Sequence, residues 1–497
     1  MPISLEQITK DIEVESDGFV KSNQTVNTKG RIDVSKFAWF VRAIVLCIYA
    51  VLIFYILYYG LWIQLNWLLA YSVLIPLVDL LNLIVGWIMY KNPVQYNGQG
   101  KRSVLPPLVS VIIPIYNQQE MIRTVIEAIL LKSTYQNIEV MAVNDGSTDG
   151  TREIIDKIQA EYSASRLKVM HVKNGGKRKA VAAAFYASKG KYIVMIDSDS
   201  IIDAKAIEQF VKTFELHQDV GGIVGHIKVA NASKNLLTKF QDVWYDFAFN
   251  VTKSAESYFG AVVCLSGCLA AYRRDTIKSF IPYWGSAPKN KDGEDKELTM
   301  YAMAPADVRA DLKKLFGRTP LNGLAQDLME SAAQYDDSED RVLSAHSIMS
   351  WNNVYVVSAV GYTEAPESIK QFFKQQIRWK KSFIRTNFYL NAFFWRKHPV
   401  VSFHYYMTFL SAITTPLVTA INVWYIPFVL GDWTWALTVL ATSLLAGLMQ
   451  GVDYRLRDPT TKHWLWKPLT LLFTSHIVSW LIVPALIQIR KHQWGTR

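Results

Sequence analysis

Four short apolar runs decide how this chain folds: VSVIIPIY (109–116), IEVMAVND (138–145), KVMHV (168–172) and YIVMID (192–197). Each is strand-sized and rich in Val, Ile and Met. Between them, 118–132, 150–161 and 177–189 carry helical periodicity. Strands alternating with helices at these spacings predict a parallel, doubly wound sheet. Ligands of such sheets bind at the carboxyl ends of the strands. That rule draws the eye to Tyr116, Asp145 and Asp197.

Each of these ends has chemistry to offer. Asp197-Ser198-Asp199 places two carboxylates one residue apart at a strand end. Hard oxygen donors of this kind suit Mg2+ or Mn2+ together with a diphosphate, although the tripeptide alone is also a common turn. Asp145, in VNDGSTDG, can bind a base or ribose, whereas Asp149 reads as a turn or cap residue. Gly175-Gly176-Lys177-Arg178 opens a helix where glycines allow close backbone approach and cations suit phosphate. Farther on, Gln375-Gln376-Ile377-Arg378-Trp379 supplies an Arg for a diphosphate and a Trp for a sugar ring.

The flanks are of a different texture. Residues 43–63 form an uncharged run long enough to span a bilayer. Residues 66–90 form a second, interrupted by Pro76, Asp79 and Asn82; an acid there faces protein or water, as a buried helix contact or the wall of a polar conduit. Downstream, 402–430 and 433–452 are further spans, and 366–396 mixes aromatics with Lys and Arg as a membrane-surface helix does. If 466–488 also crossed, Arg490, Lys491 and Arg497 would face outside, against the positive-inside rule, so it reads as interfacial or re-entrant. The expected plan is a cytosolic tail (1–37), two membrane helices (38–92), a cytosolic catalytic domain (93–365), interfacial helices (366–400), two membrane helices (401–453) and an interfacial or re-entrant end (454–497). Residues 285–337 read as an insertion in the catalytic domain.

Composition agrees with a soluble domain set among membrane segments. The 497 residues are 51% hydrophobic and only 19% charged. The net charge of +11 is concentrated beside the apolar runs (Lys36, Arg42, Arg455, Arg457, Lys462, Arg490, Lys491), which favours membrane orientation over nucleic-acid binding. Three cysteines, Cys47, Cys264 and Cys268, cannot all pair and have no metal-site spacing with His, as suits a reduced cytosolic domain.

Taken in order, NGGKRKA (174–180), DSDS (197–200), NLLTKFQDVWYDFAFNVTKSAESYF (235–259), SGCLAAYRR (266–274), QQIRW (375–379) and WGTR (494–497) resemble the processive family-two glycosyltransferases, hyaluronan synthases above all. The resemblance implies an A-type glycosyltransferase fold in the cell membrane, with its catalytic domain cytosolic. It implies polymerisation of UDP-GlcNAc and UDP-GlcA with inversion, and extrusion of the nascent polysaccharide among membrane lipids. It implies that Tyr116 and Asp145 hold uridine, with Lys177 and Arg178 nearby, and that Asp197 serves the nucleotide and Asp199 the metal. Ser266, Gly267 and Cys268 would lie near the acceptor. Gln375, Arg378 and Trp379 would hold diphosphate and acceptor, and Trp494 and Arg497 would gate the cytosolic mouth.

Two acidic motifs compete for the general base. Gly293-Glu294-Asp295-Lys296 with Leu298-Thr299 resembles the family's G-(D/E)-D-R-x-L-T signature in its Gly and Thr; Ser338-Glu339-Asp340-Arg341 with Leu343-Ser344 supplies the Arg. In the family the base precedes Q-x-x-R-W by about three dozen residues. Asp340 lies 35 before Gln375 and Asp295 lies 80 before it. Spacing therefore assigns the base to Asp340 and leaves Asp295 in the insertion, where its loss should matter little. Cys268 stands where the hyaluronan group usually has Pro, and Gly-Cys here is similar to chitin synthases. A single-sugar polymer such as chitin is thus the rival product. A lipid-linked transferase that adds one sugar is a rival enzyme class. A subunit that only passes polymer is the non-enzyme alternative, against which the acids at 145, 197, 199 and 340 argue.

Overall fold

The computed structural model describes residues 36–63, 73–94, 106–286, 294–316, 351–391 and 393–489. Its centre is an eight-stranded sheet of order β3-β2-β1-β4-β7-β6-β8-β5. The strands are β1 (Val109–Ile115), β2 (Ile138–Asp145), β3 (Leu167–Val172), β4 (Tyr192–Met195), β5 (Ser200–Ile202), β6 (Val220–Val229), β7 (Ala270–Arg273) and β8 (Asn352–Thr363). Strands β3, β2, β1 and β4 run parallel, in the four segments read from the sequence. Val109, Val111, Ile112, Ile113 and Ile115 of β1 are all buried, the near-continuous apolar run that helices on both faces require. The far half is mixed: β7 is antiparallel to β4 and β6, β8 is parallel to β6, and β5 is antiparallel to β8.

The helix Glu294–Met303 corrects the expected insertion. Leu298, Thr299, Met300, Tyr301, Ala302 and Met303 are buried, and the four large side chains among them belong to the main core. Thr299 Oγ1 accepts the Leu265 amide at 2.9 Å, and its carbonyl accepts Asn353 Nδ2 at 3.1 Å. This helix is therefore part of the catalytic domain's body. Asp340 lies outside the described residues, as do most of the N-terminal tail, Trp494 and Arg497.

Among the described residues four helices are long and apolar enough to cross a membrane: Lys36–Trp62, Pro399–Val429, Trp433–Arg457 and Trp464–Ile487; Leu74–Met89 is a shorter apolar helix. The last of the four differs from the interfacial or re-entrant expectation by its 24-residue length. Both its ends nevertheless meet parts joined to the catalytic domain. His463, just before it, contacts Asp242 at 3.1 Å, and Arg385 donates to the Ile489 carbonyl just after it. Asp79 meets the Tyr49 hydroxyl at 3.4 Å, so it makes a contact between helices.

A buried ion network fastens the helices to the catalytic domain. Arg42 Nε meets Asp453 at 2.6 Å, and Arg457 meets both Asp453 at 2.7 Å and Asp246 at 2.8 Å. Lys228 meets Asp458 at 2.8 Å. Asp242 and Asp246 lie one turn apart on the helix Leu236–Phe247, whose Trp244 faces another way, toward the site.

Candidate active site

The carboxyl ends of β1, β2 and β4 converge. Beyond β1, Tyr116 is 37% exposed. The turns after β1 and β2 are stitched together: Gln118 N donates to Thr151 Oγ1 at 2.8 Å and Thr148 N to Asn117 Oδ1 at 2.8 Å. Asp149 accepts from the Thr151 amide at 3.1 Å, the turn role its sequence suggested. Asp145, buried at the end of β2, accepts the amides of Gly175 at 2.8 Å and Gly176 at 2.9 Å. Burial raises its pKa against those amides and Lys179. Asp145 thus holds the loop that opens the next helix. Gly176 there has φ +89°, a conformation that favours glycine.

That helix, Lys177–Ala187, sends its first two side chains apart, since successive residues are about 100° apart. Lys177 reaches Asp197 at 2.6 Å, Glu294 at 3.5 Å and Asp295 at 3.7 Å. Arg178 instead turns inward to Glu297 at 2.7 Å, beside the Trp284 ring. Of the cationic pair expected beside the nucleotide, Lys177 joins the strand-end acids, whereas Arg178 is held in a buried ion pair.

Asp295 completes the cluster. Its Oδ2 accepts the Gly267 amide at 2.7 Å. A Cβ on Gly267 would lie 2.7 Å from Lys177 Nζ and 2.8 Å from Asp295 Oδ1, so this position must be glycine for the two to meet. Burial, with Glu294 and Asp197 beside it and Lys177 opposing, pushes Asp295 up to about 6. Asp197, only partly buried, is also penalised by desolvation, yet the Lys177 ammonium holds it below the usual carboxylate range. Two carboxylates around one lysine are thus driven apart, as acid–base sites require. Cys268 Sγ lies 3.6 Å from Asp197 Oδ2, and burial with Asp197 and Asp199 nearby raises its thiol pKa.

Asp197 and Asp199 present oxygen donors in the pattern read from the sequence. Among the described residues no group of three or more His, Cys, Asp or Glu could hold a metal by itself. A pair of carboxylates suits Mg2+ or Mn2+ carried in with substrate phosphates, since such ions commonly take one or two protein carboxylates.

Gln375, Arg378 and Trp379 come from the helix Ile369–Leu390. Arg378 acts electrostatically on Asp197, and Trp379 packs on Trp244 with centroids 5.9 Å apart. Arg378 Nε and Gln375 Oε1 are buried without a hydrogen-bond partner. Such orphaned groups are rare in a finished interior and mark a cradle for a polar ligand. Trp244 received no role from sequence reasoning; its signal was an aromatic pair flanked by Asp242 and Asp246 at helical spacing.

A sheet with acids at its strand ends, an Asp-x-Asp, a Lys gathered among those acids and an Arg-Trp wall fit a nucleotide-sugar transferase of the A-type fold. Residues 110–280 match the model of glycosyl transferase family 2. The chain is 28% identical over 395 residues to the hyaluronan synthase of Streptococcus pyogenes, covering 78% of this chain and 83% of that one. It is 29% identical over 286 residues to an N-acetylglucosaminyltransferase of Rhizobium meliloti (strain 1021), 57% of each chain. A mannosyltransferase from Pyrobaculum calidifontis, solved with GDP-Man and Mn2+, aligns with 84% of this chain and 96% of its own at 15% identity and a TM-score of 0.47. The protein is a glycosyltransferase with a family 2 catalytic domain, similar to hyaluronan synthases.

Proposed function

We propose that this enzyme polymerises UDP-GlcNAc and UDP-GlcA into hyaluronan and passes the chain across the cell membrane, with Asp295 as its general base. The observation that carries the choice of base is the joining of Asp295 to Lys177, Asp197 and the Gly267 amide in one cluster. In this reading Tyr116 and Asp145 flank the uridine, and Lys177 and Arg378 face the diphosphate. The Trp379–Trp244 wall receives the acceptor sugar. Mg2+ or Mn2+ held by Asp197 and Asp199 would neutralise charge on the leaving diphosphate. Asp295 takes the proton from the acceptor hydroxyl as its oxygen attacks the anomeric carbon. The bond from that carbon to the UDP oxygen breaks on the opposite side. UDP leaves with the bonding pair, and the configuration inverts. Membrane helices on both sides of a cytosolic catalytic domain would carry the product outward, with Trp494 and Arg497 gating the mouth.

Cys268, standing beside Asp197 in place of the usual Pro, favours a second reading, a polymer of GlcNAc alone. Purified protein with Mg2+ or Mn2+ and each UDP-sugar, singly and then paired, separates them. Long product only with both sugars is expected. Polymer from UDP-GlcNAc alone would replace hyaluronan by a chitin-like product, and a single sugar added to lipid would exclude polymerisation.

A further inference from the structure

Arg178 and Glu297 take no part in the transfer steps described above, and both are costly to bury. They are 7% and 4% exposed, and Arg178 Nη2 lies 2.7 Å from Glu297 Oε2. Among the described residues Glu297 is the one acid within ion-pair distance of Arg178. A buried pair of this kind is seldom a net source of stability, because apolar residues of similar volume do as well or better. Its better-attested use is to hold the elements that carry it in one arrangement.

Those elements are the two that carry the proposed chemistry. Arg178 follows Lys177 at the start of the helix Lys177–Ala187, and Glu297 lies two residues after Asp295 on the helix Glu294–Met303. Glu294 and Glu297, three residues apart, share one side of the second helix. That side meets the first helix, where Lys177 lies 3.5 Å from Glu294. The two helices are thus joined twice, through Lys177 among the strand-end acids and through Arg178 in the interior. Thr299, two residues farther on, ties the second helix to Leu265 and Asn353 instead.

Trp284 connects the buried pair with the site. Its ring centroid lies 6.0 Å from Arg178 Cζ, and it also lines the small pocket formed by Lys177, Asp197, Gly267, Glu294 and Asp295. The helix that carries it, Ile281–Ser286, packs closely on Lys177–Ala187: a Cβ on Gly285 would lie 2.7 Å from the Ala182 Cβ. Arg385, from the helix that bears Arg378 and Trp379, acts electrostatically on Glu297 as well. Glu297 stands at the open position of the G-(D/E)-D-R-x-L-T signature, so the motif gives it no role. Its position in space does. Lys177 lies 2.6 Å from Asp197 and 3.7 Å from Asp295, and a slide of one helix on the other would lose that arrangement. A misplacement of about 1 Å can cost about 10²-fold in rate.

We propose that Arg178 and Glu297, backed by Trp284, are positioning residues for the transfer step: their ion pair sets the helix of Lys177 against the helix of Asp295 and so keeps the Lys177 ammonium between Asp197 and Asp295. This assignment rests on Asp295 being the base.

The test compares unfolding midpoint, UDP affinity, kcat and KM in full-length variants at about pH 8. Burial and Glu294 raise Glu297 to about 7 against Arg178 and Arg385, so the pair is charged at that pH. Glu297→Gln leaves Arg178 without its partner, and kcat should fall at least about tenfold, with a smaller change in KM. Arg178→Lys keeps one charged contact and should keep most of the rate. Arg178→Met combined with Glu297→Met replaces the pair by apolar side chains. This double variant should regain the wild-type unfolding midpoint but not the wild-type kcat. Recovery of kcat together with the midpoint overturns the inference, since the pair would then serve stability alone. So does Glu297→Gln with more than about a tenth of wild-type kcat, or a loss confined to KM. Should the double variant not fold, Glu297→Gln against Arg178→Lys decides, and equal kcat in the two overturns the inference. Asp295→Asn tests the base separately: activity retained there sinks that reading, whereas activity lost there and kept in Glu297→Gln sinks the positioning role alone.

Discussion

Replacing Asp295 by Asn separates the reading from structure most sharply from the one by motif spacing. Asn keeps an oxygen to accept the Gly267 amide, now at 2.7 Å, and is nearly the same size. Lys177 keeps Asp197 at 2.6 Å and Glu294 at 3.5 Å. The folded pKa of Asp295, about 6, lies above the ordinary carboxylate value of 3.8, because burial penalises its charge. A group raised in this way favours the folded state below the unfolded pKa, and that contribution is lost as pH rises through about 6. At pH 7.5 the neutral Asn should therefore leave stability unchanged or slightly higher. Activity should behave oppositely. Removing a general base costs about 10²- to 10⁴-fold in rate. Wild-type kcat/KM should fall about tenfold per pH unit below 6 and level off above it, while Asp295→Asn lacks that acid limb. Transfer of labelled sugar from UDP-GlcNAc, with UDP binding measured in parallel, is the assay. Asp340→Asn should retain activity. A variant at 295 with more than a tenth of wild-type rate, or equal loss at 340, refutes the assignment.

Other expectations follow from the same geometry. Gly267→Ala would place a methyl against the Lys177 ammonium and the Asp295 carboxylate; these side-chain ends move aside, so transfer should drop at least about tenfold while thermal unfolding barely shifts. Arg457→Gln strips a partner from both Asp453 and Asp246 in a buried setting and should cost about 3–5 kcal/mol in thermal or denaturant unfolding; a cycle with Asp246→Asn should come out less than additive. Trp379→Ala should shorten the product and raise the requirement for acceptor, read by gel sizing, with UDP affinity unaltered. Chelation by EDTA should stop transfer, and Mg2+ or Mn2+ should restore it; full activity in EDTA would remove the metal role from Asp197 and Asp199.

The parallel half of the sheet was legible because β1, β2 and β4 are largely apolar on both faces and each strand, the edge strand β3 included, is bounded by turn residues. The read runs 109–116 and 138–145 match β1 and β2 to within a residue. Strands β5 to β8 were harder. Ser200–Ile202 and Ala270–Arg273 are three and four residues long, too short to show a period, and their pairing is set by partners far away in the chain. Asp145 and Asp197 were legible as acids ending buried strands. The inward turn of Arg178 was not, because a Lys-Arg pair does not disclose which of its members faces a buried glutamate. Glu297 and Trp284, which fix that choice, come more than a hundred residues later.

Our proposal of Asp295 in place of Asp340 as the base has a physical rationale in how added chain length is tolerated. Counting back from Gln375 presumes that the chain between base and membrane helix has constant length. Glu294–Met303 is fixed by its buried face and by Thr299, and β8 is fixed by its pairing with β6, so the two ends of the intervening stretch are set independently of what joins them. Closing a longer loop between two anchored ends costs only about 0.6 kcal/mol per doubling of its length. Extra residues can therefore enter there without moving Asp295 from Lys177 or Gln375 from the site. Local chemistry, a Glu-Asp-Lys followed by Leu and Thr that are buried in the core, is held in place by packing, whereas distance along the chain is not. Where motif content and motif spacing disagree, content that is anchored by packing should be given the greater weight. The Asp295 and Asp340 variants measure that judgement directly.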